Sequence, residues 1–241
     1  MVNVADGSFT NAAGTVAGVG DTHTQDYATA ATSVKIDLDN VVPSSVDLSN
    51  RSGDDFVTAG GGTGVETIWL GGGNDLLNVN STNTVKLRND PSTGNNANFD
   101  GGSGVDVFRL LDANIEVDLT LAATKLNLKN FETFDLTGSY ANYNNALKVS
   151  LQEVLDFSSI ADNPATAGVD EGKMLVVNGD AGDTLKLVGG ANWTATTGLT
   201  GATLNNTYGS AYLFTAGHTY TQYSYSGATI FKDELITTSN L

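Results

Sequence analysis

The chain contains no cysteine, which excludes disulfides, thiolate metal sites and a cysteine nucleophile. Its two histidines, His23 and His218, are too few for a three-histidine metal centre. Basic residues are scarce: 11 Lys+Arg stand against 27 Asp+Glu in 241 residues, a formal charge of −16 and a pI near 4.1. That balance argues against nucleic acid, whose binding needs Lys and Arg to displace counterions. It argues equally against docking on an anionic membrane. No apolar run approaches the ~20 residues that span a bilayer, so no membrane insertion is expected. The start, Met1-Val2-Asn3-Val4-Ala5-Asp6, has neither the basic end nor the apolar stretch of a signal peptide. Met1 reads as an added start on a piece of a longer chain. Phosphate-loop and HExxH motifs are absent. Gly101-Gly102-Ser103-Gly104-Val105 fails as a nucleophile elbow because its fifth position is Val. No catalytic residue is assigned, and the chain is not read as an enzyme.

What is present is carboxylate, glycine and short apolar runs. Surplus carboxylates point to divalent cations, with Ca²⁺ first because it takes oxygen ligands. Gly (28 residues), Thr and Asn dominate the polar fraction, while charged residues make up only 16%. Thr favours strands, and Gly and Asn favour turns with positive φ. This composition predicts an all-β chain of short strands joined by tight turns. Ser33-Val34-Lys35-Ile36-Asp37-Leu38-Asp39 alternates with the period of a half-buried strand. Further short apolar runs follow from residue 105 to 188. One helix is expected near 150–157, where Ser150-Leu151-Gln152-Glu153 forms a capping box and Leu151, Val154 and Leu155 share a face. Ser226-Gly227 fits a hairpin turn between Tyr220–Tyr225 and Ala228–Phe231. Two regions result: a strand-rich lead-in over 1–49 and a Ca²⁺-dependent β-rich domain over 50–241.

A nonapeptide recurs in the second region. Gly101-Gly102-Ser103-Gly104-Val105-Asp106-Val107-Phe108-Arg109 matches G-G-x-G-x-D-x-U-x at every fixed position. Gly61-Gly62-Thr63-Gly64-Val65-Glu66-Thr67-Ile68-Trp69 matches with Glu for Asp. Leu70-Gly71-Gly72-Gly73-Asn74-Asp75-Leu76-Leu77-Asn78 follows in phase and lacks only the first Gly. Asn50-Arg51-Ser52-Gly53-Asp54-Asp55-Phe56-Val57-Thr58 keeps one Gly, the Asp and the apolar residue.

In each repeat the first six residues form a turn whose glycines expose carbonyls. The Asp adds a carboxylate, and the next three residues form a strand with one side chain inward. Two nonapeptides close one coil of a parallel β-roll, so turns about two repeats apart stack on one edge and share an ion. Asp55 and Asp75 are expected on one edge and Glu66 on the other. The insertion over 80–98 breaks the count, so Asp106 has no assigned edge. The candidate metal ligands are Gly53, Asp55, Gly62, Gly64, Glu66, Gly71, Gly73, Asp75, Gly102, Gly104 and Asp106. At six to eight ligands per ion, they support about one to three ions. Asn178-Gly179-Asp180-Ala181-Gly182-Asp183 is a second acidic turn; Asp180 and Asp183 read either as ligands or as solvated carboxylates.

These nonapeptides resemble those of RTX proteins. The order of Asp100–Asp106, Asn130–Gly138, Leu151–Leu155, Val177–Asp183, Trp193 and Tyr223–Thr229 narrows the likeness. It is similar to the Ca²⁺-dependent peptide-binding domain near the C-terminal end of RTX adhesins, over roughly 50–241. The resemblance implies type I secretion, an extracellular site at the bacterial cell surface, and Ca²⁺-dependent capture of a ligand such as the C-terminal peptide of a host or surface protein. It also implies a monomeric module of a longer chain.

Five of the eight tyrosines fall in one stretch: Tyr208, Tyr212, Tyr220, Tyr223 and Tyr225, with Trp193 nearby. They read either as a ligand-binding surface or as core and cross-strand pairs. Three functions remain open on sequence. The chain is a Ca²⁺-dependent adhesin module binding a peptide or glycan, a ligand-free spacer or surface-layer module, or a carbohydrate-binding or calcium-requiring polysaccharide-enzyme module. The fold expectation is a parallel β-roll or β-solenoid with RTX-type Ca²⁺ turns, with a β-sandwich after residue 110 as the alternative.

Overall fold

The computed structural model describes residues 2–4, 23–25, 33–38, 44–60, 65–88, 96–139, 143–157, 173–208 and 213–241. The chain is mostly β. The first sheet has nine strands. Seven lie parallel in the order β3 (Lys35–Asp37), β5 (Phe56–Thr58), β7 (Leu76–Val79), β9 (Val107–Leu110), β12 (Thr133–Asp135), β14 (Met174–Asn178) and β18 (Ala228–Asp233). Two antiparallel strands, β17 (Thr219–Tyr225) and β16 (Thr194–Thr200), extend it. The second sheet stacks β4 (Ser44–Asp47), β6 (Glu66–Trp69), β8 (Ala97–Asp100) and β11 (Leu128–Lys129) in parallel. Antiparallel β1 (Val2–Val4) and β2 (His23–Gln25) join it beyond β4. The third stacks β10 (Glu116–Asp118), β13 (Ala146–Val149), β15 (Thr184–Leu187) and β19 (Thr237–Asn240) in parallel.

The chain alternates between sheets, so each strand lies on its equivalent from the previous circuit. Up to β9 it passes between the first and second sheets; beyond β9 the third sheet takes part. Among the described residues, parallel pairing therefore continues past residue 110, with β16 and β17 as the antiparallel strands there. Strands β3 and β4 precede residue 50, yet they pair directly with β5 and β6. The described part of 1–49 is thus tied by main-chain hydrogen bonds to the strands beyond residue 50.

Alternate side chains of the parallel strands build the interior. Register aligns Ile36, Val57, Leu77, Phe108, Phe134 and Val177 in one column. Val46, Ile68, Phe99 and Leu128 make a second, and Val117, Leu147 and Leu185 a third. All are buried. Phe108 touches Phe99, Phe131 and Phe134 at centroid distances of 6.5, 5.5 and 5.7 Å. Each such side chain stabilises by about 1.5–3 kcal/mol, so these columns dominate the folding free energy. The first and third end in polar residues, where Lys232 pairs with Val177 and Thr238 with Leu185. The Lys232 ammonium donates to the Ile236 carbonyl.

Among the described residues four short α-helices interrupt the strands: α1 (Ser81–Leu87), α2 (Ala122–Asn127), α3 (Leu151–Phe157) and α4 (Gly201–Tyr208). Helix α3 lies where the Ser150/Glu153 pattern places it, with Ser150 N–H donating to Glu153 Oε2 at 2.8 Å. The other three depart from the expectation of a single helix. Helix α1 uses an Asn/Asn capping box: Asn83 N–H donates to Asn80 Oδ1 and Asn80 N–H to Asn83 Oδ1. Ser226 and Gly227 both take positive φ, 49° and 89°, in the expected hairpin turn. No described helix is long and apolar enough to cross a membrane.

Candidate metal-binding edge

The turns entering the first sheet from the second stack on one another, because glycine lets their backbones touch. Ser103 N–H donates to Gly71 O at 2.8 Å and Gly73 N–H to Ser103 O at 3.0 Å. Gly72 N–H donates to Arg51 O at 2.9 Å. Gly102 and Gly104 have φ of 97° and 127°. A Cβ on either would lie 1.8 Å from a carbonyl oxygen of the turn beneath, that of Gly71 or Gly73. Close approach and positive φ both demand glycine there.

The residue ending each turn carries a carboxylate, and these form a column. Asp55, Asp75, Asp106 and Glu132 immediately precede β5, β7, β9 and β12, and each is 2% exposed or less. Each carboxylate accepts from the main chain one circuit earlier. Val34 N–H donates to Asp55 Oδ1 (2.7 Å), Asp55 N–H to Asp75 Oδ1 (2.6 Å), Asp75 N–H to Asp106 Oδ1 (2.8 Å) and Asp106 N–H to Glu132 Oε2 (2.9 Å). Alongside runs a polar string in which Asn74 N–H donates to Asp54 Oδ1 and Val105 N–H to Asn74 Oδ1.

Charge compensation along the column is uneven. Arg51 Nε donates to Asp55 Oδ2 at 3.2 Å, both side chains being buried. Asp75 Oδ2 and Asp106 Oδ2 are buried with no hydrogen-bond partner. Burial is the main cause that raises the Asp75 carboxyl to about 8, with Asp55 and Asp54 adding repulsion against Arg51. Burial, then the charges of Glu132 and Asp75, raises Asp106 to about 9. Asp55 is also raised by burial, opposed by the Val34 N–H and Arg51. Two adjacent buried carboxyls therefore keep their protons at neutral pH unless a cation replaces them.

The sequence-derived ligands divide accordingly. Gly53, Asp55, Gly71, Gly73, Asp75, Gly102, Gly104 and Asp106 share this edge; Asp106, unassigned on sequence, stacks on Asp75. Glu66 lies on the opposite edge, where it is saturated. Its carboxylate accepts from Gly60 N–H (2.6 Å), Asn83 Nδ2 (2.6 Å) and buried Lys86 (3.1 Å), tying α1 to the coil. Gly62 and Gly64 lie outside the described residues. Asp183 belongs to a second column at the corner between the first and third sheets. Ile115 N–H donates to Asn145 Oδ1, Asn145 N–H to Asp183 Oδ1 and Asp180 N–H to Asp183 Oδ2. Burial raises Asp183 to about 6; Asp180 is partly exposed. Asn145 does there what Asp75 does on the first edge, and its amide is satisfied by the carbonyls of Asp112 and Leu136. Glu132 was not among the sequence-derived ligands, because no glycine precedes it.

Of the aromatic residues read either as a ligand surface or as core pairs, Trp193 and Tyr220 are buried and Tyr208, Tyr223 and Tyr225 half-buried. Trp193 is buried and edge-on to Tyr225 at 5.7 Å. Tyr208 packs on Phe214 and Phe231, and Phe214 on Tyr220. Tyr220 is fully buried; its hydroxyl donates to Asn178 Oδ1 at 2.5 Å and accepts from Thr215 N–H at 2.7 Å. Burial pushes that hydroxyl up to about 12. The Tyr223 hydroxyl bonds Thr238 Oγ1 at 3.0 Å. Tyr208 and Tyr220 thus cluster with Phe214 and Phe231, whereas Trp193, Tyr223 and Tyr225 pack against the main interior cluster. Tyr212 lies outside the described residues.

Among the described residues, no group of three or more His, Cys, Asp or Glu side chains is placed to hold a metal ion. Ligands beyond Asp75 and Asp106 would therefore be main-chain carbonyls and water. Comparison with family models, curated proteins and solved structures gives no match.

Proposed function

We propose that this chain is a calcium-dependent ligand-binding module of a secreted RTX-type bacterial adhesin, built as a parallel β-solenoid with calcium at its glycine turns. The observation that carries the reading is the pair of buried, partnerless carboxylate oxygens, Asp75 Oδ2 and Asp106 Oδ2, on stacked glycine turns. An oxygen-seeking cation fits that donor set, with Asp75, Asp106 and carbonyls of the glycine turns holding it. When bound, the ion supplies the positive charge that lets both carboxylates ionise together. Arg51 fills that role for Asp55 and Lys86 for Glu66, so the Asp75/Asp106 step is where a cation is required. The continuous parallel registers support the solenoid.

Metal binding is thereby coupled to folding. In a calcium-poor cytosol the step stays protonated or repulsive, and outside the cell calcium tightens it. That suits a chain exported before it folds. The test is thermal unfolding of the whole chain at neutral pH in calcium and in chelator. A rise of several degrees with calcium supports the proposal; superimposable melts refute it.

A ligand-free spacer or surface-layer module is the second reading. The inward packing of Trp193, Tyr208, Tyr220 and Tyr225 favours it, since those side chains serve the fold. The two readings differ in whether another surface binds ligand.

A further inference from the structure

Between the glycine-turn edge and the C-terminal cap, the outer face of the first sheet carries a groove of about 610 Å³, within the range of ligand sites. Its floor is an apolar strip set by register: Phe56 beside Leu76 and Leu76 beside Val107. At ~4.8 Å per strand the strip runs roughly 10 Å across the sheet. Two residues further along the strands is a polar row, Thr58, Asn78, Arg109 and Asp135, each the register neighbour of the next. On the opposite side stand Asp54 and Asn74 of the turn edge, and Asn205, Phe214 and Thr215 of the cap overhang the groove.

We infer that this groove binds a short, neutral, hydroxyl-rich oligosaccharide. The inference rests on the ligand-capture half of the function proposed above, not on the calcium half. An apolar floor between polar flanks suits a sugar chain, whose C–H faces lie on Phe56, Leu76 and Val107 while its hydroxyls meet the edges. The flanks offer both kinds of hydrogen-bonding group. Asp54 offers an acceptor; Asp135, whose oxygens already accept from Thr137 and Arg109, holds the guanidinium in place. Arg109, half-exposed, uses one of its five N–H donors on Asp135 Oδ2 at 2.7 Å. Of that row, Arg109 and Asp135 line the groove. A hydroxyl can donate to one flank and accept from the other; a carboxylate or phosphate can only accept. Charge points the same way. Among the described residues Arg109 is the one cation lining the groove, with Lys35 at its end 5.2 Å over the Phe56 ring; Asp54 and Asp135 line it too, Asp55 being paired with Arg51, in a chain of net charge −16. That overall charge disfavours uronates and free peptide carboxylates.

The experiment is two-dimensional amide NMR of the whole chain in calcium, titrated to millimolar concentration with cellotetraose, maltotetraose, mannotetraose and N-acetylchitotetraose. Tetragalacturonate and a peptide with a free C-terminus are run in parallel. At least one neutral tetrasaccharide should give saturable shifts at Asn74, Leu76 and Arg109. Its affinity should fall about tenfold or more in Arg109→Ala and in Asp135→Asn, each checked for an unchanged melting temperature. The inference is overturned by any of four results: silence from all four neutral sugars, shifts confined elsewhere, affinity indifferent to both substitutions, or tighter binding of the uronate or peptide in the groove. Calcium-dependent melting is read on the same samples. Sugar binding without a calcium effect would refute the calcium proposal alone, and a calcium effect without sugar binding would refute the groove alone.

Discussion

Replacing Asp75 by Asn separates the two jobs of the column. Asn keeps the Oδ1 acceptor that receives Asp55 N–H at 2.6 Å and removes the charge. Asn145 already fills the equivalent place in the second column. In the folded chain Asp75 holds its proton to about pH 8, against 3.8 for an ordinary Asp. The folded state therefore binds more protons than the unfolded state between those values. The group's contribution is fully present below pH 3.8 and is lost as pH rises toward 8, at about 1.4 kcal/mol per pH unit. From pH 5 to 7 that is about 3 kcal/mol from Asp75. Asp106, raised to about 9 with Glu132 and Asp75 facing it, loses a similar amount. Asn does not titrate, so Asp75→Asn should remove about half of the slope these two groups create. Its amide N–H₂ lacks a ready partner, which costs about 1–3 kcal/mol, but equally at every pH. The assay is urea unfolding followed by circular dichroism at pH 5, 6 and 7 in chelator. Equal pH slopes for the variant and the parent would refute the reasoning. With calcium at pH 7, the parent should gain more stability than the variant.

Gly104→Ala should lose at least about 2 kcal/mol in urea unfolding, because its Cβ would meet Gly73 O at 1.8 Å at a φ of 127°. Gly198→Ala, at φ 78° with nothing within 4 Å, should lose only about 1 kcal/mol. Glu66→Gln leaves buried Lys86 without its counter-charge and should cost about 3–5 kcal/mol, yet leave calcium affinity measured by calorimetry unchanged. Tyr220→Phe strands the Thr215 N–H and Asn178 Oδ1. It should cost about 1–3 kcal/mol, seen as a lowered melting temperature.

The legible part of the fold lay where the repeat was in phase. Twenty residues separate Asp55 from Asp75, enough to stack their turns. The next step, from Asp75 to Asp106, spans 31 residues because the circuit takes in α1, and no count of nonapeptides could place Asp106. The signal for α1 was there as Asn80 and Asn83, but a search for Ser/Thr with Glu/Gln passes over an Asn pair. Helix α2 has no side-chain cap at Leu121 and no local pattern to announce it. Glu132 and Asn145 continue the two columns without the glycines that mark a repeat, so only stacked registers reveal them. Sequence left the tyrosines undivided between core and surface for a different reason. Alternation along β17 fixes which residues share a face, not what covers it. Here Phe214 packs on Tyr220, while Tyr223 and Tyr225 meet the main interior cluster.

The central claim is that a cation and protons compete for Asp75 and Asp106. It is tested most directly by titrating the metal-free chain with calcium in an unbuffered cell at pH 7 and counting the protons set free. Carboxyls raised to about 8 and about 9 hold their protons at that pH, so calcium should bind with release of between one and two protons per ion at this step, lost together in the Asp75→Asn, Asp106→Asn double variant. Absence of binding, or binding with no proton release, would contradict it.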